Sequence, residues 1–271
     1  MQSLRWQTGA SGQRFYADQP HGTRRSAQQQ LNGKRPLPVP ALALCNFEVP
    51  RDQMCGIHVV FSSSSPHPHT PSHELASRLR NRGPDHLGSV VVQVGPDTET
   101  LTCTSTVLAL RGDHVTAQPF HDSKTGSVLC WNGEAWRIAG RELDGNDGEA
   151  VFSLLVEASS SSATSDARAY ILDALRSIEG PFAFAYFDKP SQTLFFARDR
   201  LGRRSLVSYQ DEASGTFIVS SIAESCDPAW KEVEFDGIYH LYLGATSGAR
   251  LSPSWNDWQV DNQDDVVSSA A

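Results

Sequence analysis

From residue 54 onward, short apolar runs alternate with polar segments, a pattern typical of a protein with both strands and helices. Runs rich in β-branched and aromatic residues predict strands, the main ones lying at 57–61, 89–94, 101–108, 128–131, 182–188, 193–198, 206–209 and 216–220. Helical patterning predicts helices at 73–81, 149–156 and 167–178. Because the helices are grouped between many strands, the pattern favours an α+β sandwich over a βαβ winding.

The first 53 residues lack any such periodicity. They carry seven Lys/Arg against three Asp/Glu, three consecutive glutamines and a proline-rich stretch at 36–40. This composition predicts a disordered leader over 1–53, a folded domain over 54–260 and a flexible, polar tail over 261–271. Three explanations for the leader are open: an organelle transit segment, a propeptide, or upstream sequence translated from a misplaced start. We favour the last, because Met54 follows the leader directly.

Composition narrows the functional classes. The 271 residues are 39% hydrophobic with a formal net charge of −8, which argues against a general nucleic-acid partner. No apolar stretch approaches the length of a membrane span, so we expect no membrane partner. The five scattered cysteines contain no Cys-x-x-Cys pair, and we expect neither a metal site nor a cofactor. With no signal-peptide pattern, a reducing, cytoplasmic location is favoured.

The first candidate catalytic motif is Met54-Cys55-Gly56-Ile57. Methionine is readily removed before a small side chain, which would leave Cys55 as the first residue. An N-terminal cysteine holds a thiol nucleophile and, in its α-amine, a base with a pKa near neutrality. Downstream, Trp131-Asn132-Gly133-Glu134 offers a side-chain amide and an accessible glycine N–H, the donors that an oxyanion hole needs. The two motifs together suggest amide hydrolysis through a thioester.

Further motifs follow in order. They are Arg82-Gly83-Pro84-Asp85, Leu110-Arg111-Gly112 with Gln118-Pro119, Asn146-Asp147-Gly148-Glu149, Glu179-Gly180-Pro181-Phe182-Ala183-Phe184, and Ala197-Arg198-Asp199-Arg200-Leu201-Gly202-Arg203-Arg204-Ser205-Leu206. The whole series resembles the class II glutamine amidotransferase domain of the asparagine synthetase family, over about 54–243. The Leu-Arg-Gly form, the Gly-Arg-Arg-Ser-Leu run and Trp230-Lys231-Glu232-Val233 are most similar to eukaryotic asparagine synthetase domain-containing proteins.

The resemblance implies an Ntn-hydrolase fold, a four-layer αββα sandwich in which two antiparallel sheets pack face to face. It also implies that the side-chain amide of L-glutamine is hydrolysed to glutamate and ammonia. In that reaction Cys55 is the nucleophile, and Asn132 with Gly133 holds the oxyanion. Arg111 would bind the glutamine α-carboxylate, for which a guanidinium is well suited. Asp147 would pair with the α-ammonium group, with Glu134 beside it.

The chain departs from the family pattern in ways that bear on activity. An attached leader would block catalysis, because a peptide nitrogen at Cys55 cannot act as a base. Gly148 is expected to loosen the turn that holds Asp147. No Gly-rich phosphate loop is present, so any ATP-dependent asparagine synthetase partner must be a domain or subunit absent from this sequence. The alternative hypothesis is a catalytically inactive module of the same fold with a binding or regulatory role. The mature N-terminus distinguishes the two hypotheses, because only the enzyme requires a free α-amine on Cys55.

Overall fold

Two six-stranded antiparallel sheets form the centre of the computed structural model, which describes residues 54–63, 68–95, 99–110, 114–160, 167–244 and 251–259. The predicted leader and tail lie outside the described residues. The strands are β1 (Gly56–Ser62), β2 (His86–Gln93), β3 (Thr100–Val107), β4 (Phe120–His121), β5 (Val128–Gly133), β6 (Arg137–Ile138), β7 (Arg141–Glu142), β8 (Ile178–Glu179), β9 (Phe182–Asp188), β10 (Thr193–Arg198), β11 (Val207–Asp211), β12 (Thr216–Ser220), β13 (Lys231–Glu232), β14 (Gly237–Tyr242) and β15 (Ser254–Asp257). The helices are α1 (His73–Arg82), α2 (Asp147–Ser160) and α3 (Ala167–Arg176).

The first sheet has the strand order β13-β11-β12-β1-β3-β2, and the second has the order β15-β14-β10-β9-β5-β4. A small third sheet joins β7, β6 and β8. In the first sheet β1 is an interior strand, with Val59 opposite Val219 on one side and Cys103 on the other. In the second sheet β5 lies beside β9, with Asn132 opposite Ala183.

Alternation of side chains along the strands divides the interior into separate cores. The core between the sheets takes every second residue of the central strands: Ile57, Val59, Phe61, Val128, Cys130, Ala183, Ala185 and Phe187. The intervening residues of the second sheet pack against α2 and α3, among them Leu129, Trp131, Phe182, Phe184 and Phe195. Strands β1, β3 and β9 are buried on both faces, and β9 accordingly shows no alternation between apolar and polar residues.

Helix α1 covers the other face of the first sheet. Its buried Leu79 lies against Gly56, where an added Cβ would come within 3.0 Å of the leucine side chain. The hydroxyl of Thr106 also donates to the Leu79 carbonyl oxygen at 2.8 Å. With α2 and α3 on the outer side of the second sheet, the four layers confirm the predicted αββα sandwich. None of the helices within the described ranges combines the length and apolar character needed to cross a membrane.

The predicted strands and helices are present, with shifted boundaries. Helix α2 begins two residues earlier than predicted, because the side chain of Asn146 accepts a hydrogen bond from the Glu149 N–H and caps the first turn. The prediction was wrong for Ile178, which does not end α3 but pairs with Ile138 in the small sheet. The two-residue strands were not predicted, since so short a segment carries no periodicity.

Candidate active site

One open cleft collects residues from segments that are distant in the chain. Among its lining residues are five that the sequence singled out: Cys55, Asn132, Gly133, Glu134 and Asp147. Arg111 lies outside the described residues, although its neighbour Leu110 lines the same cleft. The structure therefore brings together every predicted site residue that it describes.

Cys55 is held at the start of β1, the central strand that fixes its backbone. Cys55 is half-buried, and its Sγ atom lies 3.9 Å from the Leu108 carbonyl oxygen. Burial raises the pKa of the thiol, and the contact with Leu108 lowers it in part. Among charged neighbours, Asp147 raises the pKa of the thiol while Arg82 and Arg204 lower it. The thiol therefore needs a nearby base or positive charge to become a nucleophile near neutral pH.

Asn132 lies near the end of β5 and is 1% exposed. Its amide nitrogen, Nδ2, is buried and has no hydrogen-bond partner among the described residues. At Gly133, an added Cβ would lie 2.6 Å from the Phe182 Cβ and 2.7 Å from the Pro181 carbonyl oxygen. The position therefore requires glycine. An unpaired amide donor and a close-packed glycine thus line the same cleft as Cys55.

Asp147 is the first residue of α2 and is almost fully buried. Its Oδ2 atom accepts hydrogen bonds from the Trp131 indole Nε1 at 2.9 Å and from the Ala135 N–H at 2.8 Å. Gly148, which was expected to loosen this turn, is closely packed in the structure. A Cβ at Gly148 would lie 2.8 Å from the Phe120 ring, so glycine allows the start of α2 to pack closely. The carboxylate is therefore held firmly by one of its two oxygens.

Two arginines near Cys55 were not predicted as site residues. Arg82, the last residue of α1, donates from Nε to the Cys55 carbonyl oxygen at 3.3 Å and from Nη2 to the Met54 sulfur at 3.5 Å. Burial lowers the pKa of Arg82 to about 10. Arg204 lines the cleft itself. Its motif was visible in the sequence, but nothing in the pattern indicates that this side chain reaches the cleft.

The described residues contain no group of three or more His, Cys, Asp or Glu side chains that could hold a metal ion. The cleft has instead the character of an organic-substrate site. Its walls combine one thiol, amide donors, carboxylates and a guanidinium group. Such a set can attack a carbonyl carbon, stabilise an oxyanion and orient a zwitterionic amino acid.

Residues 54–247 match the family model of the glutamine amidotransferase domain. The chain belongs to this family. Asparagine synthetase domain-containing protein 1 of Bos taurus is 34% identical over 200 residues, which are 72% of this chain and 29% of that protein. The sequence-based resemblance to the amidotransferase domain of this group is therefore confirmed. The chain spans only 29% to 33% of the length of the first four relatives, those from cattle, chicken, human and mouse.

Two solved structures share the fold of this family member. The glutamine phosphoribosylpyrophosphate amidotransferase of B. subtilis superposes with a TM-score of 0.50, at 15% identity, over 76% of this chain and 50% of that one. The allosteric regulatory enzyme of purine biosynthesis gives a TM-score of 0.55, at 16% identity and the same coverage. The αββα sandwich of this amidotransferase domain is thus an Ntn-hydrolase fold.

Proposed function

We propose that this amidotransferase domain hydrolyses the side-chain amide of glutamine, with Cys55 as the nucleophile. The observation that carries the proposal is the unpaired, buried amide nitrogen of Asn132 in the cleft that also contains the Cys55 thiol. A buried amide donor without a partner costs stability, so its presence here favours a role in binding an oxygen of the substrate. Family membership supports glutamine as that substrate.

In the proposed reaction, the α-amine of residue 55 takes the thiol proton and the Cys55 sulfur attacks the amide carbon of glutamine. The carbonyl oxygen becomes an oxyanion, which accepts hydrogen bonds from Asn132 Nδ2 and the Gly133 N–H. The C–N bond then breaks as the protonated amine returns a proton to the leaving nitrogen, and ammonia departs. Water, deprotonated by the same amine, attacks the thioester, releases glutamate and restores the thiol.

Charged residues of the cleft would orient the amino acid. We assign the α-ammonium group to Asp147, whose Oδ2 is anchored by Trp131 and Ala135 and whose other oxygen has no such bond among the described residues. Glu134 lines the cleft and adds negative charge beside it. Arg111 remains the proposed ligand of the α-carboxylate. These contacts fix the substrate before its amide reaches the thiol.

We further propose that the ammonia serves an asparagine synthetase-like partner in the cytoplasm, with ATP-dependent chemistry supplied outside residues 54–260. The name of these relatives, asparagine synthetase domain-containing protein 1, and the small share of their length that this chain spans support that assignment. The alternative, an inactive module with a binding or regulatory role, is favoured by one feature. In the sequence as it stands, Cys55 is joined to Met54 and has no free amine.

A chain with a protease site directly before Cys55 distinguishes the active enzyme from the inactive module. A factor Xa recognition sequence in place of residues 51–54 yields, from one preparation, the uncut chain and a chain that begins at Cys55. We expect glutamate to be released from glutamine only after cleavage. The cleaved Cys55→Ser variant, tested alongside, controls for contaminating glutaminases. A cleaved, folded chain that neither hydrolyses glutamine nor reacts at Cys55 with 6-diazo-5-oxonorleucine would favour the inactive module.

A further inference from the structure

The loop between β10 and β11 holds Arg204 in a fixed backbone position. The buried carboxylate of Asp199 accepts hydrogen bonds from the N–H groups of Leu201 and Arg203 at 3.0 Å each. The Nε atom of Arg198 donates to the Arg204 carbonyl oxygen at 2.6 Å. Because the loop is bonded at both ends, the direction in which the Arg204 side chain leaves the backbone is set by the fold.

Within the described part of the chain, the guanidinium group of Arg204 lacks the carboxylate partners that the neighbouring Arg198 and Arg203 have. It lines the same cleft as Cys55, and its Nε atom is buried without a hydrogen-bond partner among the described residues. Within those residues it forms no salt bridge either, whereas Arg198 pairs with Glu232 and Arg203 pairs with Asp199. A buried donor left unpaired costs free energy, so structural needs of the loop do not explain this side chain.

The described charged groups that face Cys55 come from four parts of the fold. Asp147 and Glu134 line the cleft and are acidic, whereas Arg82 reaches residue 55 from α1 and Arg204 from the loop. Arg82 has a separate structural task, since it donates to the Cys55 carbonyl oxygen. Arg204 bonds to no part of residue 55 among the described contacts and supplies only charge.

We propose that Arg204 is a positioning residue whose fixed positive charge favours the proton-poor, nucleophilic form of residue 55. A neighbouring cation disfavours a protonated amine and favours a thiolate, so it acts in the same direction on both groups that share the catalytic proton. This role rests on the proposed function of Cys55 as nucleophile. The Arg204 charge opposes, without cancelling, the effects of burial and of the Asp147 charge, both of which raise the pKa of the thiol.

The test measures alkylation of Cys55 by iodoacetamide, an uncharged reagent, in the full-length chain across neutral to alkaline pH. Peptide mass spectrometry reports the rate at each cysteine, and the buried Cys103 and Cys130 serve as internal controls. We expect Arg204→Gln to move the pH profile of Cys55 upward by on the order of one pH unit. Near neutral pH, the rate would then fall by up to about tenfold, and at alkaline pH the rates would converge.

Two variants show whether charge is responsible. Arg204→Lys keeps the charge and should retain most of the wild-type rate near neutral pH. Arg141→Gln removes the same charge from an exposed position outside the cleft and should have no effect. Thermal unfolding confirms that each variant is folded. The inference fails if Arg204→Gln reacts at the wild-type rate, if Arg204→Lys loses as much as Arg204→Gln, or if the loss persists at alkaline pH.

The alkylation measurement needs neither glutamine nor a free α-amine, so it is independent of the hydrolysis assay. A charge-dependent profile in a protein that has no glutaminase activity even after cleavage before Cys55 would refute the proposed function and retain only the effect of the Arg204 charge on the Cys55 thiol. If the cleaved enzyme is active but Arg204→Gln leaves the pH profile of Cys55 alkylation unchanged, only the inference about Arg204 is refuted.

Discussion

Replacement of Asn132 by alanine tests the proposed oxyanion hole directly. The residue is 1% exposed, and its Nδ2 atom has no partner among the described residues. The truncation therefore removes a donor that the fold leaves unused. Since a buried, unsatisfied donor itself costs about 1–3 kcal/mol, we expect little loss of stability. A kinetic defect in Asn132→Ala would then report on catalysis rather than on folding.

The expected loss of kcat follows from where negative charge develops during the reaction. The substrate oxygen becomes anionic only in the transition state, so the lost donor should lower kcat and leave KM nearly unchanged. One oxyanion-hole donor is typically worth roughly 100- to 1000-fold in kcat, or about 2.7–4 kcal/mol. The Gly133 N–H would remain as the second donor. Residual activity above that of Cys55→Ser is therefore expected.

The assay is steady-state release of glutamate by the chain that begins at Cys55. Arg111→Ala provides the contrast, because the α-carboxylate does not change charge during the reaction and its loss should mainly raise KM. Asn146→Ala is the matched control within the cleft. Its amide oxygen caps α2, so we expect about 1 kcal/mol less stability and a nearly normal kcat. If Asn132→Ala raises KM and leaves kcat intact, the oxyanion assignment is refuted and the segment is a structural turn.

Three other predictions concern charge, packing and pH. Asp147→Asn keeps an acceptor for its two N–H donors but loses the charge, so KM for glutamine should rise roughly 10- to 100-fold in steady-state assays; an unchanged KM would contradict the assignment. Gly133→Ala places a Cβ 2.6 Å from that of Phe182, and urea unfolding should show a loss of about 1–3 kcal/mol, whereas unchanged stability would argue against the tight fit. Burial lowers the pKa of His58 to about 3, below an unfolded value near 6.5. The unfolded chain therefore binds a proton at His58 before the folded chain does. The free energy of unfolding is undiminished above pH 6.5 and falls by up to about 1.4 kcal/mol per pH unit as the pH drops toward 3. In His58→Gln, the free energy of unfolding measured by denaturation should depend less on pH over this range, and an unchanged pH dependence would contradict the prediction.

The sequence was sufficient to select residues that the structure places in one cleft. Cys55 after a methionine, and the amide and glycine of Asn132-Gly133, could be selected from the sequence because thiols, amides and glycines have few substitutes in the proposed roles. The main strands were also predictable, since runs of apolar, β-branched and aromatic residues are typical of sheet interiors. Both predictions depend on local information.

The remaining features depend on long-range geometry. Arg82 and Arg204 have long side chains, and their motifs do not indicate that one reaches residue 55 and the other the cleft. The start of β8 could not be separated from α3, because Ile178 fits the helical spacing and only its pairing with Ile138 decides the matter. Likewise, the effect of Gly148 depends on the Phe120 ring, which is distant in sequence. Such facts become visible only when distant segments are brought together.

The interior position of β1 has a consequence for biosynthesis. Its partner β3 follows soon after it, whereas its contact with β12 joins His58 to Ser220 across 162 positions. At about 5–20 residues per second, a ribosome needs roughly ten to thirty seconds to add those residues. Throughout that interval the strand that begins beside Cys55 lacks one neighbour, and pairing over so long a separation is slow even afterwards. An enzyme that trims the chain before Cys55 therefore meets an incomplete sheet during translation and a half-buried peptide bond once folding has finished.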